Sequence, residues 1–328
     1  MKFATLSHLL TKQNRQEIPK EMYHGNLIVS PEFEIQGATG HILALDLLPQ
    51  EVMKDSRKEI RKRIFDAAVF AYDELGVRVL QLGALTTSVT SGGQWLVDQG
   101  FQGYVTHGDS YTAAVTCQAV QQIVKLKKKN LEDLTLAVVG AYGIIGEAVS
   151  QLLVPQCNHA ILIGRKKERF AHLESLLEGD YETTITLDTH DADVIVTATS
   201  HPTALLDTAH IKQDALIVDV SQPPNVSFEV CKKRPDILRV DGGLVTCPGN
   251  SVIPIPGLPP GKIFACFAEV VMQALENDTC HHVGSIDLSF LKKTEEWAYK
   301  YGFTLNELTN FGQPLNYRGT NAKRYPDV

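Results

Sequence analysis

The chain has 328 residues, with 44% hydrophobic and 21% charged positions and a formal net charge of -7. This is the composition of an ordinary folded protein of two domains or one large one, and its acidic balance argues against bulk nucleic-acid binding. No apolar run reaches the length of a membrane span, the stretch MKFATLSHLLTKQNRQ is too polar for a secretory signal, and the six cysteines form no CxxC pair; the expectation is a cytoplasmic protein with reduced thiols and neither a disulfide framework nor a zinc site.

Residues 26–48 read as strands (NLIVS, FEIQG and HILALDLL) with a turn at Ala38-Thr39-Gly40. From Pro49 to Glu74, apolar residues at helical spacing (Val52, Ile60, Ile64, Ala67, Ala71) predict one long helix stopped by Gly76. VRVLQLG is a strand, and Leu85 to Gly93 is a loop of hydroxyl and Gly residues. A second helix runs from near Ser110 to about Leu126, and Lys127 to Asn130 form a natural boundary.

The next segment spells a dinucleotide site. Leu134 to Val139 reads as a buried strand, followed by Gly140-Ala-Tyr142-Gly143-Ile144-Ile145-Gly146, the helix EAVSQLL and a second strand, His159 to Ile163. Glycines here let the backbone turn and approach a pyrophosphate seated on the positive end of the helix. An NAD site usually places Asp or Glu at the end of the second strand; this chain has Gly164-Arg165-Lys166-Lys167, which suits the 2′-phosphate of NADPH. Strands at DADVIVTATS, DALIVDVS and ILRVDGGLV continue the series and imply a parallel sheet. Ligands bind at the carboxyl ends of such strands, so Thr197, Thr199, Ser200, Val220, Ser221 and Gly242-Gly243 are expected on the nicotinamide side.

After the proline-rich stretch Pro248 to Pro260 comes the predicted helix KIFACFAEVVMQALE. Cys266 lies in its first turns, where the helix dipole and free N–H groups favour the nucleophilic thiolate. A last helix, SFLKKTEEWAYKYGF, follows. The expected plan is an α/β protein: an N-terminal substrate domain (1–127), a Rossmann-type doubly wound NADPH domain (128–262), and C-terminal helices (263–328) that return to the substrate domain, with the active site in the cleft between the two domains.

The residues quoted, with GATGHI near residue 40, LGALTTS at 82–88, GDSYTAAVTCQAV at 108–120, GRKKER, and above all KIFACFAEVV around Cys266, resemble the long-chain fatty acyl-ACP reductases of cyanobacteria. The resemblance implies that Cys266 takes an acyl group from an acyl carrier protein and that NADPH then reduces the thioester to a fatty aldehyde. It also admits a divalent cation such as Mg2+, although no metal-ligand cluster is visible in the sequence. His107, Tyr111, Thr112 and Ser221 are candidates by position for stabilising an oxyanion. An acidic carrier calls for a basic landing site; Arg57, Lys58, Arg61, Lys62 and Arg63 are the first candidate, and Lys125 with Lys127 to Lys129 the second. Two other readings stay open: a non-covalent NADP-dependent alcohol or keto-acid dehydrogenase of shikimate-dehydrogenase type, and an NADPH-sensing or scaffold protein without turnover.

Overall fold

The computed structural model describes residues 1–201, 203–249, 253, 255 and 258–315. Much of the proline-rich stretch (250–252, 254, 256 and 257) lies outside the described residues. The chain is an α/β protein that divides into two compact units. One comprises Met1–Tyr111 and Thr246–Thr304; the other comprises Thr112–Val245 and the described residues from Leu305.

The first unit contains β1 (Phe3–His8), α1 (Lys12–Glu17), β2 (Tyr23–His24), β3 (Leu27–Val29), β4 (Phe33–Ile35), β5 (Ala38–Leu45), α2 (Pro49–Lys54), α3 (Arg57–Asp73), β6 (Val79–Leu82), α4 (Leu85–Val89), α5 (Gln94–Asp98) and β7 (Tyr104–Thr106). Helix α6 (Asp109–Leu126) begins in this unit and continues into the other. The strands form a seven-stranded sheet in the order β2-β3-β5-β1-β6-β7, with β4 also on β5. β1 lies at its centre, parallel to both β5 and β6. It falls in the N-terminal stretch considered above only as a possible signal sequence: six residues, FATLSH, buried along their length, show little alternation to announce a strand.

Three local features differ from expectation. The turn sits at Gln36-Gly37, both with positive φ (54° and 89°), so β4 and β5 pair through a two-residue hairpin and Ala38 to Gly40 belong to the strand. The long helix is two helices, because the Ser56 hydroxyl accepts the Glu59 N–H and starts α3 afresh. The hydroxyl-rich loop holds α4, with Thr86 and Thr90 hydroxyls turned back onto main-chain carbonyls. On α3, Ile60, Ile64, Ala67, Ala68 and Ala71 form the face buried against the sheet.

The second unit contains β8 (Thr135–Val139), α7 (Ile144–Leu153), β9 (His159–Ile163), α8 (Phe170–Glu174), β10 (Tyr181–Thr184), β11 (Val194–Thr197), β12 (Leu216–Asp219), α9 (Phe228–Lys233) and β13 (Leu238–Asp241). Its six strands are parallel in the order β10-β9-β8-β11-β12-β13, the doubly wound Rossmann order, which reverses between β8 and β11. Beyond β13 the chain carries β14 (Leu244–Thr246), β15 (Lys262–Phe264), α10 (Ala265–Glu276), α11 (Leu288–Tyr301), β16 (Thr309–Asn310) and β17 (Gln313–Pro314).

The division of the chain crosses the boundaries expected at 127/128 and 262/263. The end of the chain also departs from the plan. The hairpin β16–β17 belongs to the Rossmann unit, not with α10 and α11, because buried charge holds it there. Asp241 accepts from the Thr309 hydroxyl and the N–H groups of Phe311 and Gly312. Arg239, fully buried, pairs with Asp219 and Asp241, donates to Asn310 and lies 4.1 Å from the Phe311 ring centroid. Removing Arg239 would leave the buried Asp219 carboxylate without its ion-pair partner.

Gly40 shows how tightly the first sheet is packed. A Cβ there would lie 2.4 Å from the Phe3 carbonyl oxygen and 2.6 Å from the Phe3 ring. Gly40→Ala is expected to cost about 1–3 kcal/mol of stability through overpacking, measured by urea denaturation; an unchanged midpoint would contradict this packing.

Candidate active site

The cofactor loop follows from close backbone approach. Gly140, at φ 93°, ends β8 with its N–H on the Ile163 carbonyl. A Cβ on Gly140 would sit 2.4 Å from the Ala198 carbonyl oxygen just beyond β11, and one on Gly146 would sit 2.1 Å from the Gly140 carbonyl oxygen. The loop is therefore folded onto the switch point of the sheet, at the strands' carboxyl ends. Gly143 caps α7 without a side-chain hydrogen bond, which leaves first-turn N–H groups of Ile144 and Ile145 for a ligand. These features fit a dinucleotide pyrophosphate.

Tyr142 fixes the next part. Its hydroxyl accepts the N–H groups of Arg165 (2.6 Å) and Lys166 (2.8 Å), its ring covers Gly164, and the Arg169 guanidinium stands 4.6 Å from the ring centroid. The turn after β9 is thus held in place with the Arg165 and Lys166 side chains exposed. Tyr142 shapes this turn from within.

Residues expected on the nicotinamide side have divided roles. Thr197 is fully buried and its hydroxyl donates to Asp219 (2.6 Å), so it is a strut of the sheet and not a surface for a ligand. The Ser221 hydroxyl accepts the Thr199 N–H and donates to Asn225, which also receives the Thr199 hydroxyl. The Ser221 proton is committed within this network, which weakens its case as an oxyanion donor. Ser200 is exposed. Gly242 accepts the Thr116 hydroxyl through its carbonyl and packs under Val218 and Val220.

The cysteine centre lies in the first unit. Cys266 is the second residue of α10 and is partly exposed. Gly108 packs directly on it: a Cβ there would be 2.5 Å from the Cys266 carbonyl oxygen and 2.6 Å from the Cys266 Cβ. Three residues on, Glu269 is fully buried and accepts the Thr106 hydroxyl (2.5 Å) and the Tyr111 N–H (2.7 Å). The Gly108 N–H donates to the Thr106 hydroxyl at 3.0 Å. His107 is buried, and its Nδ1 accepts the Asp109 N–H at 2.9 Å.

The electrostatics correct the expectation of a ready thiolate. Burial pushes the Cys266 thiol up to about 12, and Asp109 and Glu269 add to this; the helix-end N–H groups of Phe267 and Cys266 pull the other way but are outweighed. Burial also raises Glu269 to about 7 and Asp109 well above the usual carboxylate range, and lowers His107 to about 3 with His282 adding to the fall. The Tyr111 hydroxyl is buried and donates to the Phe303 carbonyl, so Tyr111 braces the unit instead of offering a donor to a substrate. Asp109 and Glu269 had no assigned role in the sequence reading. A single acid in the apolar run ACFAEVVMQAL, three residues after the cysteine, was the available signal for Glu269.

Much of the basic face of α3 is used internally. Arg57 and Arg61 donate to the Val89 carbonyl and the Ser91 hydroxyl at the end of α4, Lys62 pairs with Asp66, and Arg63 with Glu59. Lys125, Lys128 and Lys129, with Val124 and Leu131, line a recess of about 430 Å³. Among the described residues, no group of three or more His, Cys, Asp or Glu is placed to hold a metal ion, and no helix is long and apolar enough to cross a membrane.

Residues 122–241 match the shikimate/quinate 5-dehydrogenase family model. The chain is 27% identical over 310 residues to Aminotransferase PigE of a Serratia species, covering 88% of this chain and 35% of that protein. It is 30% identical over 179 residues to the long-chain acyl-[acyl-carrier-protein] reductase of Synechococcus elongatus, covering 52% of each. The chain thus spans about a third and about half of these relatives' own lengths. Among solved structures, the L-tryptophan dehydrogenase of Nostoc punctiforme aligns over 92% of this chain and 80% of its own, at 12% identity and a TM-score of 0.46.

The raised Glu269 pKa has a stability signature. Between its ordinary 4.5 and about 7 the unfolded chain ionises this group while the folded chain keeps its proton. Its contribution is therefore complete below about 4.5 and is lost as pH rises to 7, roughly 3 kcal/mol in all. His107 acts in the opposite sense in both proteins and cancels in a comparison. The melting temperature of Glu269→Gln relative to wild type is expected to rise from pH 4.5 to 7.5 and then level; a difference constant with pH would contradict the assignment.

Proposed function

We propose that this chain is an NADPH-dependent oxidoreductase that reduces an acyl thioester to an aldehyde through a thioacyl group on Cys266. One observation carries the reading: a partly exposed cysteine in the first turn of α10, packed against the Gly108 backbone and flanked by the raised carboxyls of Asp109 and Glu269. The resemblance around FACFAE and the partial match to the Synechococcus reductase support the acyl thioester as substrate class. The folded glycine loop and the exposed Arg165 and Lys166 support NADPH as cofactor.

A thiol raised this far is inert until its proton has somewhere to go. In this reading the proton passes to the ionised form of Asp109, which neighbours Cys266 electrostatically and which burial makes a stronger base than an ordinary carboxylate. The Cys266 sulfur then bonds to the acyl carbon as the carrier sulfur leaves, and Asp109 returns the proton to that sulfur. NADPH held at the glycine loop would supply the hydride that reduces the thioester carbon. Cys266 is next the leaving group: its sulfur–carbon bond breaks as the aldehyde forms, and the thiolate recovers a proton. In this scheme His107 is neutral in its buried setting, and because its Nδ1 accepts the Asp109 N–H its proton sits on Nε2, the ring nitrogen that serves as oxyanion donor.

The carrier is an acyl carrier protein or coenzyme A. With the α3 arginines engaged at α4, Lys58 and the Lys125–Lys129 region are the better basic contacts for an acidic carrier. A divalent cation enters no step of this scheme. The match of residues 122–241 to the shikimate/quinate family model favours a second reading, a non-covalent NADP-dependent dehydrogenase that needs no cysteine.

Cys266→Ala separates the two. Aldehyde formation and NADPH oxidation driven by acyl-CoA or acyl-ACP are expected to fall at least 10³-fold, with NADPH binding unchanged by fluorescence titration. Retained turnover in the variant would overturn the covalent route.

A further inference from the structure

We infer that Glu269 is the positioning residue of the cysteine centre, tying the Thr106–Tyr111 turn to α10 so that the Gly108 backbone is held against Cys266. The inference rests on Cys266 being the acyl acceptor proposed above. Its basis is the hydrogen bonding at the start of α6. The first N–H groups of a helix have no partner within it. Here the Tyr111 N–H donates to the Glu269 carboxylate at 2.7 Å, and the Thr106 hydroxyl donates to it at 2.5 Å while accepting the Gly108 N–H at 3.0 Å. One carboxylate from α10 thus caps a helix of 18 residues from outside. It is also one turn along the same face from Cys266, so the cap and the nucleophile move together.

The choice of residue is costly. A Ser or Asp on the turn itself is the usual way to cap a helix. A fully buried Glu loses its hydration and opposes ionisation of the adjacent thiol. What the arrangement supplies in return is a rigid distance between two main chains that touch at Gly108 and Cys266. An acyl carbon approaching the sulfur meets a turn that this side chain ties to α10, with His107 bracing it from within through the Asp109 N–H.

The test follows two reactions of the Cys266 thiol in the full-length protein, by intact mass. One is acylation by a medium-chain acyl-CoA without NADPH; the other is alkylation by iodoacetamide, which needs no oriented substrate. Above pH 7, where Glu269 is ionised, Glu269→Gln removes the charge that opposes the thiolate and weakens the cap. Acylation at saturating acyl-CoA is expected to fall at least tenfold, with the half-saturating concentration within twofold of wild type, while alkylation stays equal or becomes faster. Thr106→Ser should acylate at near the wild-type rate and Thr106→Val several-fold more slowly, a second route if Glu269→Gln folds poorly. Wild-type acylation with an unchanged Glu269→Gln rate, or a joint fall of both reactions, would overturn the inference. Absence of any acyl adduct on wild type would instead overturn the proposed function on which it rests.

Discussion

Close approach of main chains, permitted only by the missing side chain of glycine, is the constraint on which both units depend. Gly40 lies on Phe3 in the first sheet, Gly108 on Cys266, and Gly140 and Gly146 on Ala198 and each other's turn in the second. In each case a single Cβ would fall well inside contact distance of another backbone atom. The first contact sets the centre of a sheet, the second the surroundings of a thiol, and the third a phosphate-sized cradle at the end of a helix. Chemistry in this chain is therefore placed by backbone geometry, and side chains refine it.

The cysteine centre shows the refinement. Position at a helix start alone would favour thiolate, but burial and two carboxyls reverse the balance. The result is a thiol that holds its proton at neutral pH. The neutral His107 and the raised Asp109 belong to the same dry environment, so the centre acts as a set of coupled groups and not as one activated residue.

The Rossmann sheet was legible because its strands are short apolar runs punctuated by glycine, and the switch-point loop carries its own spacing. The place of Cys266 at a helix start is legible from Pro259-Pro260-Gly261, whereas the burial that raises its thiol is not. Other features could not be read this way. The buried β1 lacks alternation; the Ser56 restart of α3 looks like any polar position in a helix; the hairpin at Gln36-Gly37 depends on two positive φ angles, one of them at a glutamine. The commitment of Tyr111 to Phe303, of Thr197 to Asp219 and of Arg57 and Arg61 to α4 depends on partners distant in sequence or on the opposite side of a helix. Glu269 was visible as a residue, but its partners on the Thr106–Tyr111 turn emerge only from the tertiary fold.

The central claim is that an acyl group on Cys266 is the species reduced. Wild-type protein acylated with a labelled acyl thioester, freed of excess reagent and then given NADPH alone tests it most directly. The account predicts release of labelled aldehyde, at most one per acylated Cys266, with the protein mass returning to its unmodified value. An adduct that persists in NADPH, or leaves only as the free acid, would contradict it.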